Sequence, residues 1–421
     1  MRTMQLCPSC QAQNEPTAHF CASCGASLRD NASGPTVPSQ SAKRKVLKVP
    51  TMLSLAVVLL GIVGIFVWRL SSSPVALNPR LQMPTNDVWA AGFATNSQGA
   101  ISESYLLRSS DGGTKWTPVI PASPVGLVDV GFATPTKGYA WGTSDVGATL
   151  NKGGLWETSD GGRTWSVWPV TVTSGSQPTD ISDVEFATSS NGWMGAEVGT
   201  GTAAVYTTQD GGLTWSEVRQ LPKQTAPYLD AVNASTAWMA TSPSSQSSSG
   251  LLMETTNSGR TWRTALSRPG TIFNWVRFAT PQNGWATSAS WSGNSGAIWT
   301  TDDGGKSWQA HPLSSAVWNV DPLASNAVWA VSGRVAYNSR SSRVTGSDGA
   351  VLFSNNGGHS WRKLWRNSNM ALWSVSFATP SVGWVAGIDR QGDGVILATT
   401  DGGATWKVKM RNPNYRISFV Y

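Results

Sequence analysis

A single short motif repeats seven times: Asp111-Gly-Gly-Thr-Lys-Trp116, and then the segments 160–165, 210–215, 257–262, 303–308, 356–361 and 401–406, each ending in Trp. Successive tryptophans lie 49, 50, 47, 46, 53 and 45 residues apart. A unit of that length, dense in strand and turn signals, cannot bury its own hydrophobic face, so neighbouring units must stack. With about four short strands per unit, the arrangement expected is a β-propeller of seven four-stranded blades. A second motif precedes the boxes, cleanest at Phe132-Ala-Thr-Pro-Thr-Lys-Gly-Tyr139 and at 186–193, 278–285 and 377–384, with weaker forms ending at Trp89, Trp238 and Trp329.

These landmarks order each blade. Strand one ends near Phe377, a turn leads to strand two at Gly383, strand three runs over Val395–Thr399, and strand four begins at the last Trp406. The box itself has a mechanism: its Asp or Asn caps backbone N–H groups, its glycines supply positive φ, and its Trp fills the space between sheets. Asn257 and Asn356 replace Asp in two boxes, and Asn makes the same turn. The terminal segment 416–421 reads as another strand one, which would complete the first blade and close the ring, removing edge strands. The counts of 43 Gly and 23 Trp in 421 residues agree with many turns and a large aromatic content.

These repeats resemble the Asp-box, or BNR, repeats of sialidases and sortilin-like propellers. In their Asp-Gly-Gly-x-Thr-Trp form they are still more similar to the photosystem II assembly and stability factor family. The resemblance covers about residues 79–421 and implies the propeller fold and the option of assisting assembly of a membrane complex. A sialidase would also carry an arginine triad, a Phe-Arg-Ile-Pro-like start and a Tyr/Glu nucleophile pair; Asn78-Pro-Arg-Leu81 is a poor match. No enzymatic activity is expected.

Upstream of the repeats the chain changes character. Cys7-Pro-Ser-Cys10 and Cys21-Ala-Ser-Cys24 are two CxxC knuckles, and Cys7, Cys10, Cys21 and Cys24 are the four cysteines of the chain. Four thiolates suit tetrahedral Zn²⁺, whose binding would supply the folding energy of so short a segment. Residues 1–28 resemble the short zinc ribbons that begin many bacterial membrane proteins. Reduced thiolates point to a cytoplasmic side.

Residues 29–48 read as a flexible basic linker, and residues 49–70 as one transmembrane helix, with no charge from Val49 to Trp68. Lys43, Arg44, Lys45 and Lys48 precede the apolar run, so the positive-inside rule places the N-terminus in the cytoplasm and the propeller, 71–421, outside the cell membrane. A cleaved signal peptide is the rival reading, but a metal module comes before it. The expected protein is therefore single-pass and membrane-embedded.

Charge excludes a nucleic-acid partner for the propeller. Seven of the 31 Lys and Arg and two of the 24 Asp and Glu lie at or before Arg69, which leaves 24 basic and 22 acidic residues over the rest. A binding partner, a protein or a cell-envelope component, is expected on the variable face formed by the two-to-three and four-to-one connections. Tyr228, Trp275, Trp318 and Trp373, placed by the sequence just before strand one, are the candidate ligand-binding aromatics at the mouth of the central channel. Glycan binding or cleavage is the rival function.

Overall fold

The structure is a computed structural model that describes residues 5–6, 13–14, 86–95, 101–120, 125–144, 154–337, 344–413 and 416–421. The chain divides into two compact units, Met1–Leu70 and Ser71–Tyr421. In the first, β1 (Gln5–Leu6) pairs antiparallel with β2 (Gln13–Asn14), bracketing Cys7 and Cys10. The cysteines themselves, the linker and the apolar run 49–70 lie outside the described residues. Among the described residues no helix is long and apolar enough to cross a membrane.

The second unit is all-β. Blade two is β6 (Val125–Phe132), β7 (Gly138–Ser144), β8 (Leu155–Thr158) and β9 (Ser166–Val167). Blade three is β11 (Asp180–Phe186), β12 (Gly192–Glu197), β13 (Thr202–Thr208) and β14 (Trp215–Pro222). On its outer edge β10 (Val172–Ser174) adds a fifth strand, parallel to β14. The four-stranded rule thus has one exception, made by the connection from blade two.

Blades four to seven follow with uniform order. They are β15 (Gln224–Ala231) to β18 (Arg263–Pro269), β19 (Thr271–Phe278) to β22 (Gln309–Leu313), β23 (Ala316–Ala324) to β26 (Arg362–Asn367), and β27 (Met370–Phe377) to β30 (Lys407–Asn412). Blade one is assembled from both ends of the unit: β31 (Arg416–Val420) pairs antiparallel with β3 (Val88–Thr95), followed by β4 (Ile101–Ser109) and β5 (Thr117–Pro118). The C-terminal strand closes the ring as the repeat pattern requires.

Each box folds as a capped turn. Asp111 Oδ1 accepts the N–H groups of Thr114 and Lys115 at 2.8 and 2.9 Å. The hydroxyl two residues before the box, Ser109 here, donates to Asp111 at 2.8 Å and accepts the Gly113 N–H at 2.7 Å. Thr158, Thr208, Thr301 and Thr399 repeat both bonds, and Thr255 and Ser354 do so with Asn257 and Asn356. This Ser/Thr is a part of the motif that reading from the Asp onward misses.

The turns then staple blades together. The strand-two aromatic of one blade packs on the strand-one Phe and box Trp of the next: Trp89 lies 5.2 Å from Phe132 and 5.8 Å from Trp165. Trp238 repeats this with Phe278 and Trp308 at 4.7 and 5.7 Å, and Trp329 stacks on Phe377 at 4.0 Å. The second box glycine is required by this contact. A Cβ on Gly305 would fall 2.0 Å from the Trp238 ring, and its φ is +73°.

Gly305→Ala and Gly293→Ala separate the two demands, since Gly293 also has positive φ (+69°) but nothing near its Cβ. Conformation alone predicts a loss of about 1–2 kcal/mol for Gly293→Ala. Overpacking against Trp238 adds about 1–3 kcal/mol for Gly305→Ala. Urea denaturation midpoints of the two variants measure the difference.

Candidate functional site

Seven copies of strand one converge on the axis, and each carries a β-bulge that resets its register against strand two. Aligning the strands through their partners gives two rings of side chains. The residues paired two positions beyond the strand-two aromatic are Asp129, Asp183, Tyr228, Trp275, Asn319, Ser374 and Phe419. The residues opposite that aromatic are Gly131, Glu185, Asp230, Arg277, Asp321, Ser376 and Tyr421.

All seven members of the second ring line a cavity of about 410 Å³. Its wall also includes Ala133, Ala279 and Ala378, the first residues after strand one, so it sits at the face of the one-to-two and box turns. The neighbouring ring of strand-one side chains is partly aromatic, and its Phe419 lines the cavity. Trp275 is 5.2 Å from Tyr228 and 6.1 Å from Phe419, while Arg277 lies over the Trp275 ring at 5.1 Å. The cavity is a funnel bordered by this partly aromatic ring.

The predicted aromatics therefore divide. All four lie within strand one, which begins earlier than its sequence pattern suggests. Tyr228 and Trp275 touch; Trp318 and Trp373 are the bulge residues of blades six and seven, skipped by the ladder. Trp318 Nε1 donates to the Gly333 carbonyl at 2.9 Å and Trp373 Nε1 to the Ile417 carbonyl. His311 and His359 have separate partners: His311 Nε2 is 3.1 Å from Thr300 Oγ1, and His359 Nε2 is 3.1 Å from an Asp302 carboxylate oxygen.

The funnel's chemistry is acidic, which the sequence did not reveal. Three carboxylates stitch adjacent strands one: Asp183 accepts the Leu229 N–H at 2.7 Å, Asp230 that of Phe278 at 2.8 Å, and Asp321 that of Phe377 at 2.6 Å. Arg277 spans three blades, meeting Glu185 at 2.6 Å and Asp230 at 3.3 Å. Burial pushes the Asp230 carboxyl up to about 6 against the pull of Arg277. Asp129 and Asp183 are driven well above the usual carboxylate range by burial, and each is raised further by a neighbouring carboxylate. An aspartate one to three residues before the end of strand one is the signal that could have located them, once the bulge is counted.

A family model described as photosynthesis system II assembly factor YCF48 matches residues 114–267 and 168–343, together more than half of the chain, and a zinc-ribbon domain model matches residues 6–28. The chain is a repeat-built β-propeller with a zinc-ribbon domain ahead of it. It belongs to the YCF48 photosystem II assembly factor family. Among solved structures, YCF48 bound to a D1 peptide is 22% identical, with 68% of this chain and 82% of that one covered and a TM-score of 0.46. YCF48 from Cyanidioschyzon merolae is 15% identical over 77% and 99%, with a TM-score of 0.48. A puromycin hydrolase, 13% identical over 78% and 52%, has a TM-score of 0.53, a likeness of fold. No curated protein sequence matches the chain.

The titrations oppose one another. Because folded Asp230 holds its proton up to about pH 6, the stability it confers is complete below the unfolded carboxyl value of about 3.9 and is lost as pH rises through about 6. Asp129 and Asp183 act in the same direction. Box aspartates do the reverse: the Thr405 hydroxyl and N–H hold Asp401 down at about 2, so its contribution is lost only as pH falls towards 2. Thermal unfolding should give a higher Tm at pH 5 than at pH 8, and Asp230→Asn should flatten that slope while keeping the cap on Phe278.

Proposed function

We propose that this protein is a membrane-anchored, non-catalytic propeller that binds a protein client outside the cytoplasmic membrane, as an assembly factor does. One observation carries the non-catalytic reading. The funnel's acidic side chains that a hydrolase would need free are largely committed: Asp183, Asp230 and Asp321 cap backbone between blades, and Glu185 is paired to Arg277. Acid–base chemistry requires groups that exchange protons with a substrate. Membership of an assembly-factor family supports a protein client.

The variable face supplies the contact surface. Trp291, in the loop between β20 (Gly284–Ser290) and β21 (Gly296–Thr301), is 40% exposed, and Arg334 on β24 (Ala327–Tyr337) is exposed as well. Exposed tryptophan and arginine are residue types enriched at binding hot spots. The charge-free run from Val49 to Trp68 behind a basic cluster supports a single-pass anchor with a cytoplasmic zinc ribbon.

Affinity capture with detergent-solubilised full-length protein tests the client. Wild type should recover a membrane polypeptide that Trp291→Ser/Arg334→Ser loses at least tenfold. Retention on wall polysaccharide instead would replace this reading with glycan binding, and released reducing sugar would make the protein a hydrolase.

Cys7, Cys10, Cys21 and Cys24 would hold the zinc. The donor set is four thiolates, and the β1–β2 pairing brings the chain on either side of the first knuckle together. Bound zinc would tie the two knuckles into one folded module. Elemental analysis should find about one zinc per chain and almost none in Cys10→Ser/Cys24→Ser, with the propeller's Tm unchanged.

A further inference from the structure

The cavity is lined by more carboxyl groups than cations. Asp129, Glu185 and Asp230 line it around one cation, Arg277, which is spent on Glu185 and Asp230, and Asp183 lies buried within electrostatic reach of Arg277. Asp87, at the rim, is matched by Arg108 at 2.8 Å. Asp129 is different. It lines the cavity at 7% exposure and its Oδ1 accepts only the adjoining Val130 N–H, leaving the second oxygen with no partner among the described residues. One blade on, Asp183 is 1% exposed and its Oδ1 also lacks a partner. A buried carboxylate oxygen without a donor, as Asp183 Oδ1 is, costs on the order of 1–3 kcal/mol or more, whereas the free oxygen of Asp129 opens to the cavity, where a ligand can meet it.

We propose that the funnel receives one organic cation, an alkylammonium or alkylguanidinium group such as a lysine or arginine side chain of a partner polypeptide. The walls fit the rest of such a group. Phe132, Phe186, Phe278 and Phe377 line the cavity and offer apolar surface to an alkyl stem, while the carboxylates take the charged head. Solvent reaches the acidic ring, since Glu185 and Arg277 keep 25% and 18% of their side chains exposed. A metal ion fits less well: among the described residues no group of three or more acidic, His or Cys side chains is spaced to hold one.

The site lies on the face opposite the loops assigned to the client, so it is a second contact surface and stands or falls independently of them. It also explains a cost in the fold. Three aspartates held above their ordinary range would be relieved by a cation.

The test uses full-length protein at pH 8 with four probes: agmatine, the peptide acetyl-Ala-Ala-Arg-Ala-Ala-amide, its citrulline counterpart, and calcium chloride. Agmatine or the arginine peptide at saturation should raise Tm by about 2–4 °C, with the effect weakening at high salt and at pH 5, while the neutral citrulline peptide does nothing. Asp129→Asn keeps the Val130 acceptor and should bind at least tenfold more weakly, whereas Asp401→Asn, in a box turn, should bind like wild type. If Asp129→Asn does not fold, the loss of binding by wild type between pH 8 and pH 5 reports the same carboxylates.

Tighter binding of the arginine peptide than of agmatine assigns the cation to a partner polypeptide, and the reverse assigns it to a free amine. No shift with either cation, equal binding by the citrulline peptide, unchanged binding by folded Asp129→Asn, or displacement by calcium would overturn the proposal.

Discussion

The propeller depends on one contact repeated around the ring: an aromatic from strand two wedged against the phenylalanine and box tryptophan of the following blade. Trp89 with Phe132 and Trp165, and Trp238 with Phe278 and Trp308, show its full form. Four strands bury little apolar surface by themselves, and the aromatic wedge converts each blade's exposed face into shared core. Aromatic pairs of this kind add about 0.5–1.5 kcal/mol beyond the area they bury. The box exists to place its tryptophan in that wedge, and its second glycine exists because the neighbour's ring leaves no room for a Cβ at Gly162 or Gly305.

Closure follows from the same logic. A ring of stacked blades needs a seam between last and first, and the chain makes it by sending β31 into blade one. Ser374 accepts the Val420 N–H at 3.1 Å and Trp373 donates to Ile417, so blade seven holds the closing strand directly. Pulling strand one of every blade to a common axis then forces polar side chains into a narrow space. Aspartate serves there as a backbone cap across blades, and the burial that makes the cap strong also raises its carboxyl. Stability and the acidic funnel are two consequences of one arrangement.

Function separates from architecture at the two faces. The box face is stereotyped because six box turns are tied to the one-to-two turn of their own blade, as Gly161 N–H is to the Thr136 carbonyl at 2.8 Å. The opposite face is released from that constraint, which is why β24 and β25 (Val344–Ser354) extend to eleven residues each where β28 (Gly383–Asp389) and β29 (Gly394–Thr399) stop at seven and six. The proposed client surface lies on its loops, and the proposed cation site lies at the other end of the same axis.

The sequence by itself determined the repeat, the seven blades, the strand order and the closing strand, because the box turn and the aromatic spacing are local and recur with a near-constant period. It also carried the zinc-ribbon knuckles as a pattern of four cysteines. It did not place Tyr228, Trp275, Trp318 and Trp373 on one surface or two, and it gave no sign that Asp129, Asp183, Glu185, Asp230 and Asp321 meet. The physical reason is the bulge in strand one. A one-residue slip against strand two exchanges the faces of everything upstream, so Trp275 reaches the axis while Trp318, one register position earlier, is turned to the Gly333 carbonyl. That slip is set by pairing between strands and by the convergence of seven blades, and only the tertiary structure contains either.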